Sequence, residues 1–252
     1  MTKLLADLLP ESYDRLVEPM VGGGALFFAT RPKQAILGDS NEELINFYHV
    51  LANRTEALID QLLQLRASSS QYYKFRSARP RAKMERAVRF AYLNRLCWNG
   101  LYRVNGSGEF NVPFGGRLPK RLWNEEHLQT AATLLRNATL LSADFQATLK
   151  YCRAGDVVYL DPPYPKRREN GHGFNRYTRT PFTAADHERL ACEALRLHDK
   201  GIRVVISTAA SHTFLSLFPR GFRVHRVRSS SLISCNGATR GNASEAILLN
   251  YK

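Results

Sequence analysis

The stretch DVVYLDPPY, residues 156–164, decides the fold prediction for this chain. Its first half, 156–160, is a short apolar run that is typical of a buried β-strand. The two prolines that follow cannot donate a hydrogen bond to a neighbouring strand, so the strand must end there. A buried strand that ends in acidic and aromatic side chains is typical of the ligand-binding edge of an open α/β sheet.

Six more apolar runs of similar length predict the rest of the sheet. They cover residues 15–20, 34–38, 138–142, 203–207, 222–227 and 245–250. Helical patterns lie at 41–51, 56–65 and 184–200, and the last begins with a capping-box pattern at Thr183 and Asp186 and ends at Gly201. Strands that alternate with helices predict an open, mostly parallel, Rossmann-like sheet with helices on both faces.

One long stretch, residues 55–137, contains no convincing buried parallel strand. Between Tyr72 and Arg103 it holds nine basic residues against one acid, Glu85, with aromatic residues interleaved. The Asn-Gly and glycine signals at 104–110 predict a β-hairpin. We interpret the stretch as a mainly helical insertion with a hairpin that faces a polyanion, and the alternative is a solvated helix whose basic face has no partner.

This insertion would divide a catalytic domain made of residues 1–54 and 138–252. Lys and Arg number 36 and Asp and Glu number 22, a net charge of +14, which favours a nucleic-acid partner. The four cysteines form no CxxC pair, so we expect no metal, and no apolar run approaches the ~20 residues of a membrane span. We therefore expect a cytoplasmic protein, without a membrane partner and monomeric by default.

Four residues at the end of the 156–160 strand are candidate catalytic residues: Asp161, Pro162, Pro163 and Tyr164. An amino group conjugated to a purine is a poor nucleophile, because its lone pair is delocalised into the ring. A carboxylate and a backbone carbonyl that accept its two N–H bonds stabilise the positive charge that develops when a methyl group arrives. An adjacent aromatic ring can stack on a base that has left the duplex. The alternative is an Asp-Pro turn with a tyrosine packed on the surface.

A second motif, EPMVGGGALFF at 18–28, runs from a predicted strand through three glycines into an apolar helix. Such a turn lets the backbone approach a ligand closely, although any nucleotide or phosphate binder could carry it. About 20 residues further on, Asp39 ends the next predicted strand, where an acid can accept hydrogen bonds from ribose hydroxyls. A helix N-cap is the alternative role for Asp39.

Together these stretches resemble the Dam-type adenine-specific DNA methyltransferases, the D12 class of the α-group. The resemblance rests on EPMVGGGALFF, GDSNEELINFY (38–48), NRLCWNGLYRVNGSGEFNVPFG (94–115), VVYLDPPY and ISCNGATRGNASEAILLNY (233–251). It implies a methyltransferase sheet with an antiparallel last strand and S-adenosylmethionine as methyl donor. It also implies double-stranded DNA as substrate, in a bacterial or phage setting that includes restriction-modification.

The resemblance also implies roles for individual residues. The cofactor-binding residues would be Glu18, Pro19, Met20, Gly22, Gly24, Asp39, Asp144, Phe145 and Asp161. The DNA-reading residues would be Arg95, Asn99, Arg103, Asn105, Asn111 and Pro113. Cys97 and Trp98, within the same segment, are expected mainly to pack. The hairpin is similar to those of GATC-modifying relatives, so GATC is the expected target.

Two alternative functions stay open at this point. Members of the family normally carry an aromatic-x-Gly-Gly-Lys segment ahead of the first helix, and this chain opens at Met1-Thr2-Lys3 instead. That difference motivates a DNA-binding protein on a methyltransferase fold that lacks cofactor. The other alternative is methylation of an amino group on RNA, cytosine or a glutamine side chain, since such enzymes share the Asn/Asp-Pro-Pro-Tyr motif.

Overall fold

The computed structural model describes residues 1–164, 182–229 and 243–251 of the chain. The helices are Thr2–Leu8 (α1), Ala25–Thr30 (α2), Glu42–Asn53 (α3), Thr55–Leu63 (α4), Ser69–Ser77 (α5), Lys83–Leu96 (α6), Glu125–Leu135 (α7), Phe145–Leu149 (α8), Ala184–Asp199 (α9) and His212–Leu215 (α10). The strands are Leu16–Glu18 (β1), Ala35–Asp39 (β2), Ala138–Ser142 (β3), Val157–Leu160 (β4), Arg203–Ala209 (β5), Arg223–Ser229 (β6) and Ala243–Leu249 (β7).

The seven strands form one sheet in the order β3-β2-β1-β4-β5-β7-β6. Strand β1 is parallel to β2 and to β4, β4 is parallel to β5, and β7 is antiparallel to both β5 and β6. The predicted mostly parallel sheet with an antiparallel last strand is therefore confirmed. The strand order reverses between β1 and β4, and ligands bind at such a switch point in open α/β sheets.

The two strands at the switch point are held in place by burial and by one ion pair. Leu16 and Val17 of β1 and Val157 and Val158 of β4 are fully buried, and each such side chain contributes roughly 1.5–3 kcal/mol. Just before β1, Arg15 donates from Nε and Nη2 to the two carboxylate oxygens of Asp156, at 2.9 and 2.7 Å. This bidentate pair sets the relative register of the strand ends that carry Glu18 and Asp161.

The chain divides into two compact units. One comprises the described residues of 1–37, 144–175 and 182–252, and the other comprises the described residues of 38–143. In the first unit, α9 follows the predicted helix: Thr183 and Asp186 form the capping box, and Gly201, with φ +70°, follows its end. The apolar face of α9 is fully buried, as its spacing predicts.

The second unit has its own core, which includes aromatic residues of the stretch that the sequence predicts to face a polyanion. Tyr72 of α5 and Tyr92 of α6 are fully buried, and the hydroxyl of Tyr72 donates to the carbonyl of Val112 at 3.0 Å. Tyr73 is exposed instead. The aromatic rings interleaved with the basic residues are therefore partly core, because a helix places neighbouring residues on different faces.

The predicted hairpin is present in the second unit as a short loop closed by an antiparallel bridge between Val104 and Phe110. The Asn105 amide donates to the carbonyl of Glu109 at 2.8 Å. The Asn105 side-chain oxygen accepts from the backbone N–H groups of Ser107 and Glu109, at 3.0 and 2.9 Å. The Asn105 side chain thus ties both sides of the loop together.

Candidate functional site

The residues of the DPPY motif directly follow β4, at the carboxyl edge of the sheet. Pro162 is buried and Pro163 is half-buried, whereas the Tyr164 side chain is 41% exposed. Asp161 keeps solvent-accessible surface. The motif therefore presents a carboxylate and an aromatic ring to the outside while its prolines anchor the backbone.

Asp161 is held by a buried chain of two hydroxyl groups. Ser207 of β5 donates to Oδ1 of Asp161 at 2.7 Å, and the Tyr159 hydroxyl lies 2.9 Å from the Ser207 oxygen. Since the Ser207 proton points to the carboxylate, the Tyr159 proton completes the chain by pointing to Ser207. Within the described residues, Oδ2 of Asp161 has no hydrogen-bond partner, so this oxygen can accept from a ligand.

The environment of Asp161 favours its neutral form more than water does. Loss of hydration raises the pKa of Asp161, the hydrogen bond from Ser207 lowers it, and the negative charge of Glu245 on β7 raises it again. Loss of hydration also raises the pKa of the Tyr164 phenol, and the charge of Asp161 adds to the effect. A cation bound here would oppose these effects, since it stabilises carboxylates in their charged form.

Glu18, the last residue of β1, is a buried acid beside Asp161. It is 2% exposed, and its Oε1 atom has no hydrogen-bond partner among the described residues. Burial raises the pKa of Glu18 to about 8, a backbone hydrogen bond from Phe27 lowers it, and the charge of Asp161 raises it. An unpaired buried carboxylate oxygen is costly, so this position calls for a ligand that donates hydrogen bonds or carries positive charge.

The glycine turn follows Glu18 directly. Gly22 and Gly24 have φ values of +48° and +63°, in the left-handed region that side chains disfavour. The amide of Gly24 donates to the carbonyl of Val21 at 2.8 Å, which closes the turn before α2. Pro19 is buried and Met20 half-buried at its start.

Asp39, at the carboxyl end of β2, is not the N-cap of α3. Asn41 has that role, because its side-chain oxygen accepts from the amides of Glu43 and Leu44 at 3.1 and 3.4 Å. Oδ1 of Asp39 accepts from the Asn41 amide at 2.8 Å. Its proposed contact with a ribose stays a prediction.

Asp144 and Phe145, the predicted neighbours of the cofactor's adenine, lie at the start of α8. Oδ1 of Asp144 accepts from the Gln146 amide and from Arg189, each at 2.9 Å. The Arg189 guanidinium also lies 4.9 Å from the centre of the buried Phe145 ring. These contacts account for the conformation of both residues, and their role toward a cofactor stays a prediction.

The predicted DNA-reading residues lie in the second unit, from the end of α6 through the hairpin. Arg103 donates from Nε to the side-chain oxygen of Asn111 at 2.8 Å, across the base of the hairpin. Its two terminal amino groups have no hydrogen-bond partner in the part of the chain that the structure describes. Arg95 donates from Nε to the carbonyl of Leu122 at 2.9 Å, and Pro113 is exposed.

One expectation in this segment is wrong. Cys97 is buried, as expected, but Trp98 is 51% exposed instead of packed. Asn99 and Gly100 both adopt left-handed backbone, with φ of 52° and 66°, so the chain turns sharply after the tryptophan. The Trp98 amide donates to the carbonyl of Pro113 at 3.0 Å, which fixes the backbone while the indole faces solvent.

Several basic residues between 72 and 103 form ion pairs and hydrogen bonds within the protein. Arg86 binds Glu42 and Glu43, at 2.7 and 2.8 Å. Arg89 donates to the carbonyls of Phe75 and Arg76, at 2.8 and 3.1 Å, and so caps the end of α5. Only part of the run is therefore free to meet a polyanion, and the exposed residues Lys74, Arg81, Lys83 and Arg95 belong to that part.

The ISCNGATRGN portion of the tail that resembles the family, residues 233–242, lies outside the described residues, and so does Cys235. Within the described ranges, no cluster of side chains suits a metal ion. None of the described helices is long and apolar enough to cross a membrane.

Sequence reasoning missed three residues that contact or surround the DPPY motif: Ser207, Glu245 and His187. Ser207 and Glu245 lie within predicted strands, where nothing distinguishes them from ordinary strand residues. The pairing of β4 with β5 aligns Leu160 with Ile206, so the next residues in each chain are Asp161 and Ser207. The sequence alone does not give this register, so it could not predict that Ser207 lies beside Asp161.

Comparison with known proteins gives a consistent result. Residues 1–231 match the family model of the D12 class N6 adenine-specific DNA methyltransferases. The Type II methyltransferase M1.LlaDCHI of Lactococcus lactis subsp. cremoris is 34% identical over 97% of this chain and 89% of its own. The DNA adenine methylases of Serratia marcescens and Escherichia coli K12 are 35% and 34% identical, each over 94% of this chain and over 89% and 86% of theirs. The chain belongs to the D12 class of N6 adenine-specific DNA methyltransferases.

Proposed function

We propose that this chain transfers a methyl group from S-adenosylmethionine to the N6 amino group of adenine in duplex DNA, after the adenine has rotated out of the helix, and that its target is GATC. The observation that carries the proposal is that Asp161 and Tyr164 lie together in the segment that follows β4. One carboxylate oxygen is fixed by Ser207 and the other has no partner among the described residues, next to an exposed aromatic ring.

The acids around this point fit a cationic donor. The charge of Glu245 raises the pKa of Asp161, and the charge of Asp161 raises the pKa of Glu18. This part of the chain is therefore acidic, although the net charge of the whole chain is +14. The buried, unpartnered Oε1 of Glu18 suits an ammonium group. When bound, S-adenosylmethionine supplies an electrophilic methyl group on a sulfonium and carries an ammonium group.

The glycine turn at 22–24 and Asp39 are the other residues proposed to bind the donor. The turn leaves room for a ligand against the backbone: among the described residues, no heavy atom beyond the adjacent residues of the chain lies within 4 Å of a Cβ added at Gly22 or Gly23. Asp39 would accept hydrogen bonds from the ribose hydroxyls, and Asp144 and Phe145 would flank the adenine.

Asp161 and the DPPY backbone would activate the amino group. Oδ2 of Asp161 and a carbonyl of the motif each accept one N–H bond, which directs the nitrogen lone pair toward the methyl carbon. The donor would supply the methyl group to the nitrogen and would keep the electron pair of the broken C–S bond on sulfur, and the nitrogen would pass one proton to solvent water. Tyr164 would stack on the extruded base and hold it in place.

The hairpin would read the target sequence. Asn111 holds Nε of Arg103, so the two terminal amino groups of the guanidinium point away from that bond and can pair with O6 and N7 of guanine. A guanine contact agrees with GATC as the target. Exposed basic residues such as Lys74 and Arg95 would contact phosphates, which hold the duplex without reading it.

Product analysis tests the proposal. Unmethylated duplex DNA is incubated with the protein and S-adenosylmethionine, and its nucleosides are separated by mass. We expect N6-methyladenine, no product with Asp161→Ala, and protection of the DNA from an endonuclease that methylated GATC blocks. Methyl groups found on cytosine, or on RNA alone, would reject the proposed reaction.

A calorimetric titration with S-adenosylmethionine tests the cofactor separately. We expect saturable binding by the wild type and weaker binding by Glu18→Gln. A protein that binds DNA but not the donor would instead be a DNA-binding member of the fold without enzymatic activity.

A further inference from the structure

His187 of α9 contacts the catalytic segment although it belongs to none of the motifs. It is 7% exposed. Its Nε2 atom lies 2.9 Å from the carbonyl oxygen of Pro163, and its Nδ1 atom lies 3.0 Å from the carbonyl oxygen of Thr183. Carbonyl oxygens only accept, so the contact with Pro163 is a hydrogen bond when Nε2 carries a proton.

Two aromatic rings hold the imidazole in this orientation. Phe182 lies 4.9 Å from its centre at an interplanar angle of 80°, and Phe214 of α10 lies 5.4 Å away at 85°. Both contacts have the edge-to-face geometry that aromatic rings prefer. The packing leaves the ring little freedom to rotate, so Nε2 stays aimed at the Pro163 carbonyl.

The DPPY segment needs such a contact because of its composition. Pro162 and Pro163 have no N–H group, so only Asp161 and Tyr164 can donate from the backbone of the motif. The segment therefore cannot be held by a regular ladder of backbone hydrogen bonds. Its carbonyl groups and side chains must be held by donors from elsewhere, as Ser207 holds Asp161.

The carbonyl that His187 binds is well placed to control Tyr164. The Pro163 carbonyl and the Tyr164 amide belong to one planar peptide group, so fixing the oxygen also fixes the direction in which the chain enters Tyr164. The orientation of the Tyr164 ring, which would stack on the target base, depends on that direction.

We propose that His187 is a positioning residue of the methyl transfer: it orients the Pro163–Tyr164 peptide and thereby sets the place of the target adenine relative to Asp161. The inference rests on the proposed function, since it concerns the same catalytic segment. His187 itself would not touch the reacting atoms.

Two substitutions separate the hydrogen bond from the packing. His187→Leu keeps an apolar side chain between Phe182 and Phe214 but removes the donor. His187→Gln can place an amide N–H near the position of Nε2 and so restore the donor. Glu188→Gln, an exposed position on the same helix, is the matched control.

Steady-state methylation of a duplex distinguishes positioning from simple stabilisation. We expect kcat of His187→Leu to fall about 10- to 100-fold, because small displacements of reacting groups have effects of this size. KM for DNA and for the donor should stay within about threefold, His187→Gln should recover most of kcat, and Glu188→Gln should match the wild type. Equal loss in the Leu and Gln variants, or no loss in either once the folded fraction is taken into account, overturns the proposal.

A second measurement keeps this inference apart from the proposed function. Hydrogen exchange of a peptide that covers residues 157–164 should be faster in His187→Leu than in the wild type and in His187→Gln. Exchange in α6 should be unchanged in all three. If the wild type methylates no adenine, the proposed function fails, while the exchange of this peptide still decides whether His187 holds the segment. Unchanged exchange in His187→Leu contradicts the inference.

Discussion

Ser207 donates a hydrogen bond of 2.7 Å to Oδ1 of Asp161, from the strand next to the one that Asp161 follows. The Ser207 side chain is 2% exposed, so water cannot easily replace it. The bond both orients the carboxylate and lowers its pKa against the effect of burial. Asp161 thus keeps a fixed orientation, with one oxygen directed away from the serine.

We expect Ser207→Ala to reduce kcat about 10- to 100-fold, because a hydrogen bond to a charged group contributes roughly 1.5–3 kcal/mol. The acidic limb of the pH–kcat profile should move to higher pH, since a bond that lowers the Asp161 pKa is lost. Thr208→Val is the matched control: Thr208 is the next residue, and its buried hydroxyl has no partner among the described residues. An unshifted profile in Ser207→Ala contradicts this role.

Glu18 should link donor binding to the release of a proton. Its pKa is about 8 in the folded chain, so at pH 7 most molecules carry it protonated, and a bound ammonium group would displace the proton. We expect the donor affinity to rise with pH up to about 8 and then level off. Calorimetry at pH 7 in two buffers of different ionisation enthalpy should give close to one proton released by the wild type and none by Glu18→Gln.

The same group should affect the stability of the chain without ligand. Because the folded-state pKa of Glu18 is raised, the stabilisation relative to its unfolded form is complete below pH ~4.3 and is lost as pH rises through 8. Glu18→Gln should therefore become more stable than the wild type at pH 9, by at most about 5 kcal/mol. Urea unfolding at pH 5 and pH 9 measures the difference, and an equal difference at both values argues against a buried proton on Glu18.

Arg103 should determine sequence discrimination more than affinity. We expect Arg103→Ala to lower the preference for the target over a site with one guanine replaced by roughly 1–3 kcal/mol. Asn111→Ala, which frees Nε of Arg103, should have a smaller effect in the same direction. Lys74→Ala, at an exposed site on α5, should instead weaken binding to all sequences alike and reduce the salt dependence. Competition binding with matched and mismatched duplexes measures both quantities.

Trp98 should report on DNA binding through its fluorescence. The chain has two tryptophans, so Trp123→Phe leaves the exposed Trp98 as the sole tryptophan. We expect its emission to be quenched when duplex DNA is added, and Trp98→Ala to weaken DNA binding by roughly 1–3 kcal/mol, as for an aromatic side chain stacked on a base. Emission that does not respond to saturating DNA would mean that the indole does not contact the duplex.

The strands could be predicted from the sequence because each is a short apolar run with clear flanking signals. Val157 and Val158 illustrate this: both are fully buried, and the prolines that follow end the strand. The DPPY and glycine motifs could be located for the same reason, since each follows a strand. Functional residues that follow a strand can be recognised in a sequence when their residue types are unusual at the end of a strand.

Between residues 72 and 103, the sequence could not predict which side chains are buried, which bind other parts of the protein and which are exposed. Tyr72 and Tyr73 are adjacent and chemically identical, yet one is fully buried and the other is 43% exposed. Arg89 caps a helix while Arg95 is exposed. Both distinctions depend on the rotation of a helix within its bundle, which a run of mixed basic and aromatic residues does not determine.

The position of β7 has a consequence for the biosynthesis of the protein. β7 lies between β5 and β6 although it follows both in the chain, so the edge of β5 that faces β7 stays unpaired until residues 243–249 have folded against it. During translation the nascent chain therefore carries an exposed strand edge, which is a site for unwanted pairing with other chains. Cells that lack a chaperone to shield that edge should accumulate more insoluble protein.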